Sequence, residues 1–127
     1  MSVFALLLIV KIVVTLLGVA LPMLLLRRTA IDGLWGMQNT LALYRLYGVA
    51  ITALIVAYAT AFVDHLVGGN GLWVLPVAIT SNAGAVLVLA FTYSGAFRWP
   101  GLLFFGAVAL GFIAVWLAPG PLARPLW

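Results

Sequence analysis

The sequence predicts an all-α integral membrane protein: a four-helix up-down bundle with both termini on the outer, periplasmic side. Three observations carry that expectation. Four apolar runs are each long enough to span a bilayer, 67% of the 127 residues are hydrophobic with only 6% charged, and the arginines gather in alternate connections. A soluble domain carries about a quarter charged residues, so this chain has too little polar surface to cover itself in water. The runs are continuous rather than alternating, which selects helices over barrel strands. Connections are short, so residues 1–127 read as one transmembrane domain, with helices at about 3–26, 41–63, 74–94 and 101–118.

The first run opens MSVFALL and lacks the basic n-region of a removable signal; it is expected to be a retained helix. Pro22, late in that run, predicts a kink, because its ring displaces a carbonyl one turn back. The second run has Asn39 or Thr40 in position to cap its first turn, and Arg45 just inside, able to snorkel to the headgroups. In the third, Pro76 lacks an N–H that a first turn would leave unpaired anyway, so regular helix should begin close to Leu75. Pro100 and Pro119 bracket the fourth as start and stop signals.

Charge sets the orientation. Arg27, Arg28 and Arg45 flank the first connection and Arg98 lies in the third, while the second, DHLVGGNG, has neither Lys nor Arg and the tail APGPLARPLW adds only Arg124. Cytoplasmic loops collect Lys and Arg, so connections one and three belong inside, with the four arginines at the lipid headgroups. Trp35, Trp99, Tyr44, Tyr47 and Tyr93 then fall at the inner interface, and Trp73, Trp116 and Trp127 at the outer one, where amphipathic rings are favoured. The stretch AIDGLWGMQNTLALY reads as an interfacial segment or a contact for another subunit.

Small residues let membrane helices approach. The second helix offers Ala53, Ala57 and Ala61, the third Ser81, Gly84 and Ala85, the fourth Ala107, Gly111 and Ala114, and the first Gly18. These stripes are expected to face the interior of the bundle, leaving little volume within it.

Residues 6–15 read LLLIVKIVVT. Lys11 lies about eight residues below the outer end of its helix, roughly 12 Å deep at 1.5 Å per residue. A lysine there costs about 2.5–3.5 kcal/mol, so it requires partners. Lys11, Thr15, Gly18 and Pro22 share one helix face, and Thr80, Ser81 and Asn82 of the third helix lie at a matching depth. Tyr58 and Thr60 of the second are slightly shallower. The expected binding cluster is therefore Lys11, Tyr58, Thr60, Ser81 and Asn82, with Asp64 as counter-charge if the lysine snorkels outward. Its role is either to fix helix register or to hold a substrate, an anion or a cofactor.

His65, the only histidine, reads as solvated loop, with axial ligation of a porphyrin-type cofactor as its one chemical alternative. Arg28 and Asp32, four apart, read as a surface ion pair of little energetic consequence. The absence of cysteine excludes disulfides and thiolate metal sites.

The only acids are Asp32 and Asp64, neither within a span, which disfavours proton antiport. The four-span layout resembles that of small multidrug-resistance exporters and small fluoride channels. The chain has no Glu to supply the first group's membrane carboxylate, however, and it lacks the second group's Gly-rich and Thr/Ser/Phe-rich motifs, so it is assigned to neither. No nucleotide, hydrolase or metalloprotease motif occurs, so no enzyme is expected, and no metal site. The cofactor is unspecified.

The leading expectation is a non-enzymatic multi-pass accessory subunit of a bacterial inner (plasma) membrane, packed laterally with other subunits, copies of itself and lipid, without nucleic acid. The alternatives are a small homo-oligomeric transporter or channel with Lys11 and Asn82 on the path, and a binder of quinone, pigment or another hydrophobic cofactor.

Overall fold

A computed structural model describes residues 2–95 and 97–124; Trp127 lies outside the described residues. Those residues are helical without a strand, and four of the helices are long and apolar enough to cross a membrane. The order is α1 (Val3–Leu25), α2 (Arg28–Trp35), α3 (Leu41–Leu66), α4 (Leu75–Phe91) after a 3₁₀ turn at Leu72–Val74, α5 (Arg98–Leu117) and the short α6 (Pro119–Ala123).

The helix starts follow local chemistry. Ser2 caps α1, its hydroxyl accepting from the Ala5 N–H at 3.1 Å, and Thr40 caps α3 through the Leu43 N–H at 3.3 Å. Pro76 sits in the first turn of α4, which begins at Leu75 as its sequence dictates. Helix α5 starts three residues before the expected Gly101, because Pro100 still falls within a first turn that tolerates it. Helix α3 runs three residues beyond the expected Val63, so Asp64 and His65 belong to its last turn and not to a loop.

Pro22 acts upstream of itself. It has no N–H and crowds the carbonyl four residues back, and residues Leu16–Ala20 respond with a π-turn closed by the Leu21 N–H on the Leu16 carbonyl. That turn holds one residue too many for α geometry and rotates the buried stripe. Phe4, Leu8, Lys11 and Thr15 continue into Val19 and Met23, all buried. The stripe expected from regular spacing ran through Gly18 and Pro22; Gly18 is instead exposed, with open space where a Cβ would lie.

Helix α1 packs along α3, and α4 along α5. Gly48 of α3 permits the first contact: a Cβ there would meet Leu24 at 2.9 Å and Met23 at 3.1 Å. The two pairs meet through α1 on α5 and through the 3₁₀ turn under the end of α3, whereas α3 and α4 make no extended contact.

The main core lies where all four long helices converge. It contains Phe4 and Leu8 of α1, Tyr58 and Ala61 of α3, Leu75 and Ala78 of α4, and Val108, Phe112 and Val115 of α5, with α6 against it. We refer to this as the termini end. A second core, Val19, Met23, Ile31, Trp35 and Tyr44, fills the opposite end, near Arg27, Arg28, Arg45 and Arg98. Helix α2 is amphipathic there. Ile31 and Trp35, four apart, are buried, while Arg28 and Asp32, also four apart, form a 3.4 Å ion pair on the other side.

The small residues divide. Ala61, Ala78 and Ala109 are buried, but Ala53, Ala107 and Ala114 are exposed and so do not mediate the internal contacts expected of them.

At the termini end, Gly71 adopts φ +60° and a Cβ there would lie 2.5 Å from the Ala61 carbonyl oxygen. Gly71→Ala therefore combines left-handed strain with a backbone clash, worth about 1–3 kcal/mol. Thermal unfolding in mild detergent should show a clearly lowered midpoint for this variant, and an unchanged midpoint would contradict the geometry.

Candidate functional site

Lys11 points inward. Only 4% of it is exposed, and its ammonium donates to the Asn82 amide oxygen at 2.7 Å. Asn82, fully buried, is itself oriented by its amide N–H on the Ala78 carbonyl at 2.7 Å. The remaining faces of the ammonium are met by aromatic rings of α5, with Nζ 4.5 Å from the Phe105 centroid and 5.8 Å from that of Phe104. A desolvated cation over such rings gains about 2 kcal/mol, and a hydrogen bond to a charged group contributes about 1.5–3 kcal/mol. Together these equal or exceed the insertion cost of a central lysine.

In the same turn of α4, Tyr58 and Ser81 share a 2.8 Å hydroxyl–hydroxyl hydrogen bond, and the Ser81 hydroxyl also reaches the Ala78 carbonyl at 3.2 Å. Four of the five residues expected to cluster thus form two adjacent pairs. Thr60 does not join them. It is exposed, and its hydroxyl donates to the Val56 carbonyl of its own helix at 2.9 Å, because its helix face is turned away from Tyr58.

Asp64 is likewise occupied elsewhere. Its carboxylate accepts the Gly71 N–H at 2.9 Å, which organises the turn into α4. Among the described residues the ion pair is Arg28–Asp32, and Asp32 also accepts from the Tyr44 hydroxyl at 2.5 Å. His65 is part-buried on α3 and not solvated loop: Nε2 bonds the Ser2 hydroxyl at 2.8 Å, Nδ1 is buried without a partner, and the ring meets Phe4 edge-on. Among the described residues no three His, Cys, Asp or Glu side chains converge on a metal position.

Two of the arginines bond backbone carbonyls at helix ends. Arg45 is half-buried, and its guanidinium donates to the Met23 and Leu26 carbonyls at 2.7 and 2.9 Å, closing the last turn of α1. Arg98 donates to the Ala90 carbonyl at 2.8 Å, closing α4. Arg27 and Arg28 remain exposed.

Below Ser81, toward the arginine end, α3 and α4 part around a cavity of about 490 Å³. Val19 and Met23 of α1, Trp35 of α2, Tyr44 and Tyr47 of α3, Val88 and Leu89 of α4, and Phe97 and Phe105 wall it. This overturns the expectation of little interior volume. The gap persists because α1 and α2 wedge α3 away from α4, and the Tyr93 hydroxyl, bonded to the Trp35 carbonyl, fixes α4 to the far end of α2. Phe105 is shared between the cavity wall and the lysine, while neither Lys11 nor Asn82 borders the open space. Depth matching brought Lys11 and Asn82 together from sequence. The adjacent Phe104 and Phe105 were within reach of the same reasoning, since they share that depth, but an apolar pair in an apolar helix carries no polar signal. Trp35 as a cavity wall was beyond reach.

Comparison with family models, with curated proteins and with solved structures finds no match for this chain.

Asn82→Leu strands the ammonium without an acceptor, whereas Lys11→Met removes the charge itself. Reversible unfolding in mixed micelles should rank Asn82→Leu as the more destabilising by about 1.5–3 kcal/mol, with the double variant recovering most of the loss. Equal, additive effects would show that the pair is not coupled.

Proposed function

We propose that this chain is a multi-pass protein of a bacterial inner membrane, an up-down bundle of four spans with both termini outside. In this reading it acts without chemistry of its own, as a subunit packed laterally against other membrane proteins or copies of itself. The orientation rests on Arg27, Arg28, Arg45 and Arg98 lying at one end, the side on which basic residues are retained. The exposed Arg27 and Arg28 meet anionic headgroups there.

The observation that carries the lateral reading is the outer face of α5. Leu103, Ala107, Leu110 and Ala114 follow one another at helical spacing, and all four are exposed, Leu103 at 73% and Leu110 at 68%. Lipid offers leucine no hydrophobic gain, so helix association in a bilayer depends on close packing around small residues. A stripe of alternating large and small side chains supplies ridges and recesses for a second helix. Ala53 and Gly18 add small outward positions on the other pair.

Two measurements test this. Native mass determination after mild solubilisation should show the chain with foreign subunits or with copies of itself. Ala107→Leu combined with Ala114→Leu should release single chains without lowering the unfolding midpoint. A wild-type chain that is already alone would remove the proposal. For the orientation, the cysteine-free sequence allows clean labelling: an impermeant maleimide on intact cells should modify Val67→Cys and spare Leu34→Cys, both exposed positions. The reverse pattern would invert the topology.

A further inference from the structure

The cavity between α3 and α4 has chemistry that lateral packing leaves unused. We propose that it binds one neutral, lipid-soluble molecule with a planar ring head bearing hydrogen-bond acceptors, of the quinone class.

Its volume of about 490 Å³ lies within the range of small-molecule sites, roughly 300–1,000 Å³. That suits a substituted ring with a short length of tail. The walls are apolar and rich in flat faces, Trp35, Tyr44, Phe97 and Phe105 among them, and Trp35 and Phe97 already pack edge-on with centroids 4.4 Å apart. Aromatic side chains receive a planar ring by offset stacking or edge contact.

Polarity narrows the class further. No side chain on the wall is charged, so a phosphate or ammonium headgroup drawn inside would find no counter-ion. Residues of the wall carry donors, the indole nitrogen of Trp35 lying covered just beneath its surface. The Trp35 indole N–H is buried, with the residue 9% exposed, and has no acceptor. A buried donor left unpaired costs about 1–3 kcal/mol, and indole nitrogens inside proteins ordinarily find a partner. Ser81, at the other limit of the cavity, shares a hydrogen bond with Tyr58 in which either hydroxyl can donate, and the second proton of the pair rests on the Ala78 carbonyl at a long 3.2 Å, a bond that a stronger acceptor in the cavity would replace. A ring with carbonyl oxygens on opposite sides uses donors at both levels; a saturated hydrocarbon chain uses neither. Tyr47 and Val88 on the rim are exposed, at 51% and 59%, which leaves the space open for entry from between α3 and α4.

Gly84 supplies the probe of the cavity itself. It lies on the wall, and a Cβ added there meets nothing within 4 Å, so a leucine grows into the space without displacing backbone. The test is equilibrium binding of decylubiquinone to the full chain in phosphatidylcholine nanodiscs, with empty discs as reference. The wild type should show a saturable component of one quinone per chain above linear partition into lipid. Gly84→Leu should abolish that component while keeping its helical circular dichroism and unfolding midpoint. Trp35→Phe, which keeps a ring and removes the N–H, should weaken binding about 2- to 10-fold. Linear partition identical to that of empty discs would overturn the proposal. So would unchanged binding in both variants, or competition by 1-decanol as effective as the quinone's own, since that would reduce the site to a slot for an alkyl chain. None of these readouts depends on the oligomeric state, so they fail or succeed separately from the lateral-packing reading.

Discussion

A buried ammonium must find partners or leave, and in this fold that constraint decides which helices touch. Lys11 of α1 reaches Asn82 of α4 at 2.7 Å, and its remaining surface lies against Phe104 and Phe105 of α5. Three helices therefore converge on one charged atom, and Tyr58–Ser81 brings in α3 through the same turn of α4. Because lipid does not press apolar helices together, polar contacts of this kind and close packing are what remain to select an arrangement. The main core of Phe4, Leu8, Tyr58, Ala78, Val108 and Phe112 surrounds the junction.

Beyond the reach of those bonds the pairs separate. Helices α1 and α3 stay together because Gly48 admits Leu24 and Met23, and α4 and α5 stay together along their length. Helix α2 then fills the arginine end on one side only, with Ile31 and Trp35 in the second core, so a cavity is left between α3 and α4. Arg45, Arg98 and Tyr93 brace this end through backbone carbonyls of α1, α4 and α2. The cavity is thus bounded by structural bonds on both sides, which makes it a standing feature of the fold and not slack between helices.

How much of this could be read from sequence follows from the range of each interaction. The four spans, the Thr40 cap and the start of α4 beside Pro76 depend on neighbours a few residues apart, and their signals are local. The Lys11–Asn82 bond joins residues 71 apart, yet depth matching reaches it, because two polar groups in hydrocarbon at one level have few other choices. The π-turn was not legible: Pro22 predicts a disturbance, but not that one added residue would move the buried stripe from Gly18 to Val19. Thr60 lies elsewhere for a related reason, since two positions along a helix turn a side chain by about 200°, from the face of Tyr58 to the exterior. The outward direction of Ala107 and Ala114, the carbonyl-bonded arginines and the cavity all depend on how helices lean on one another. Small residues and arginines look the same in sequence whichever way they face.

The junction at Lys11 can be observed directly, because it is the only lysine in the chain and Asn82 is one of just three asparagines. Lysine labelled with ¹⁵N at the side chain and asparagine labelled with ¹³C at the amide carbon, in bilayer-reconstituted protein, allow a dipolar recoupling measurement by solid-state NMR. The single Nζ signal should dephase rapidly, as a 2.7 Å contact between nitrogen and amide oxygen requires, and Asn82→Asp, which removes the labelled amide, should abolish that coupling while Asn39 and Asn70 variants leave it intact. An Nζ signal that feels no asparagine carbon and instead contacts lipid headgroups would mean that the lysine snorkels to the surface, and the convergence of the helices would need another cause.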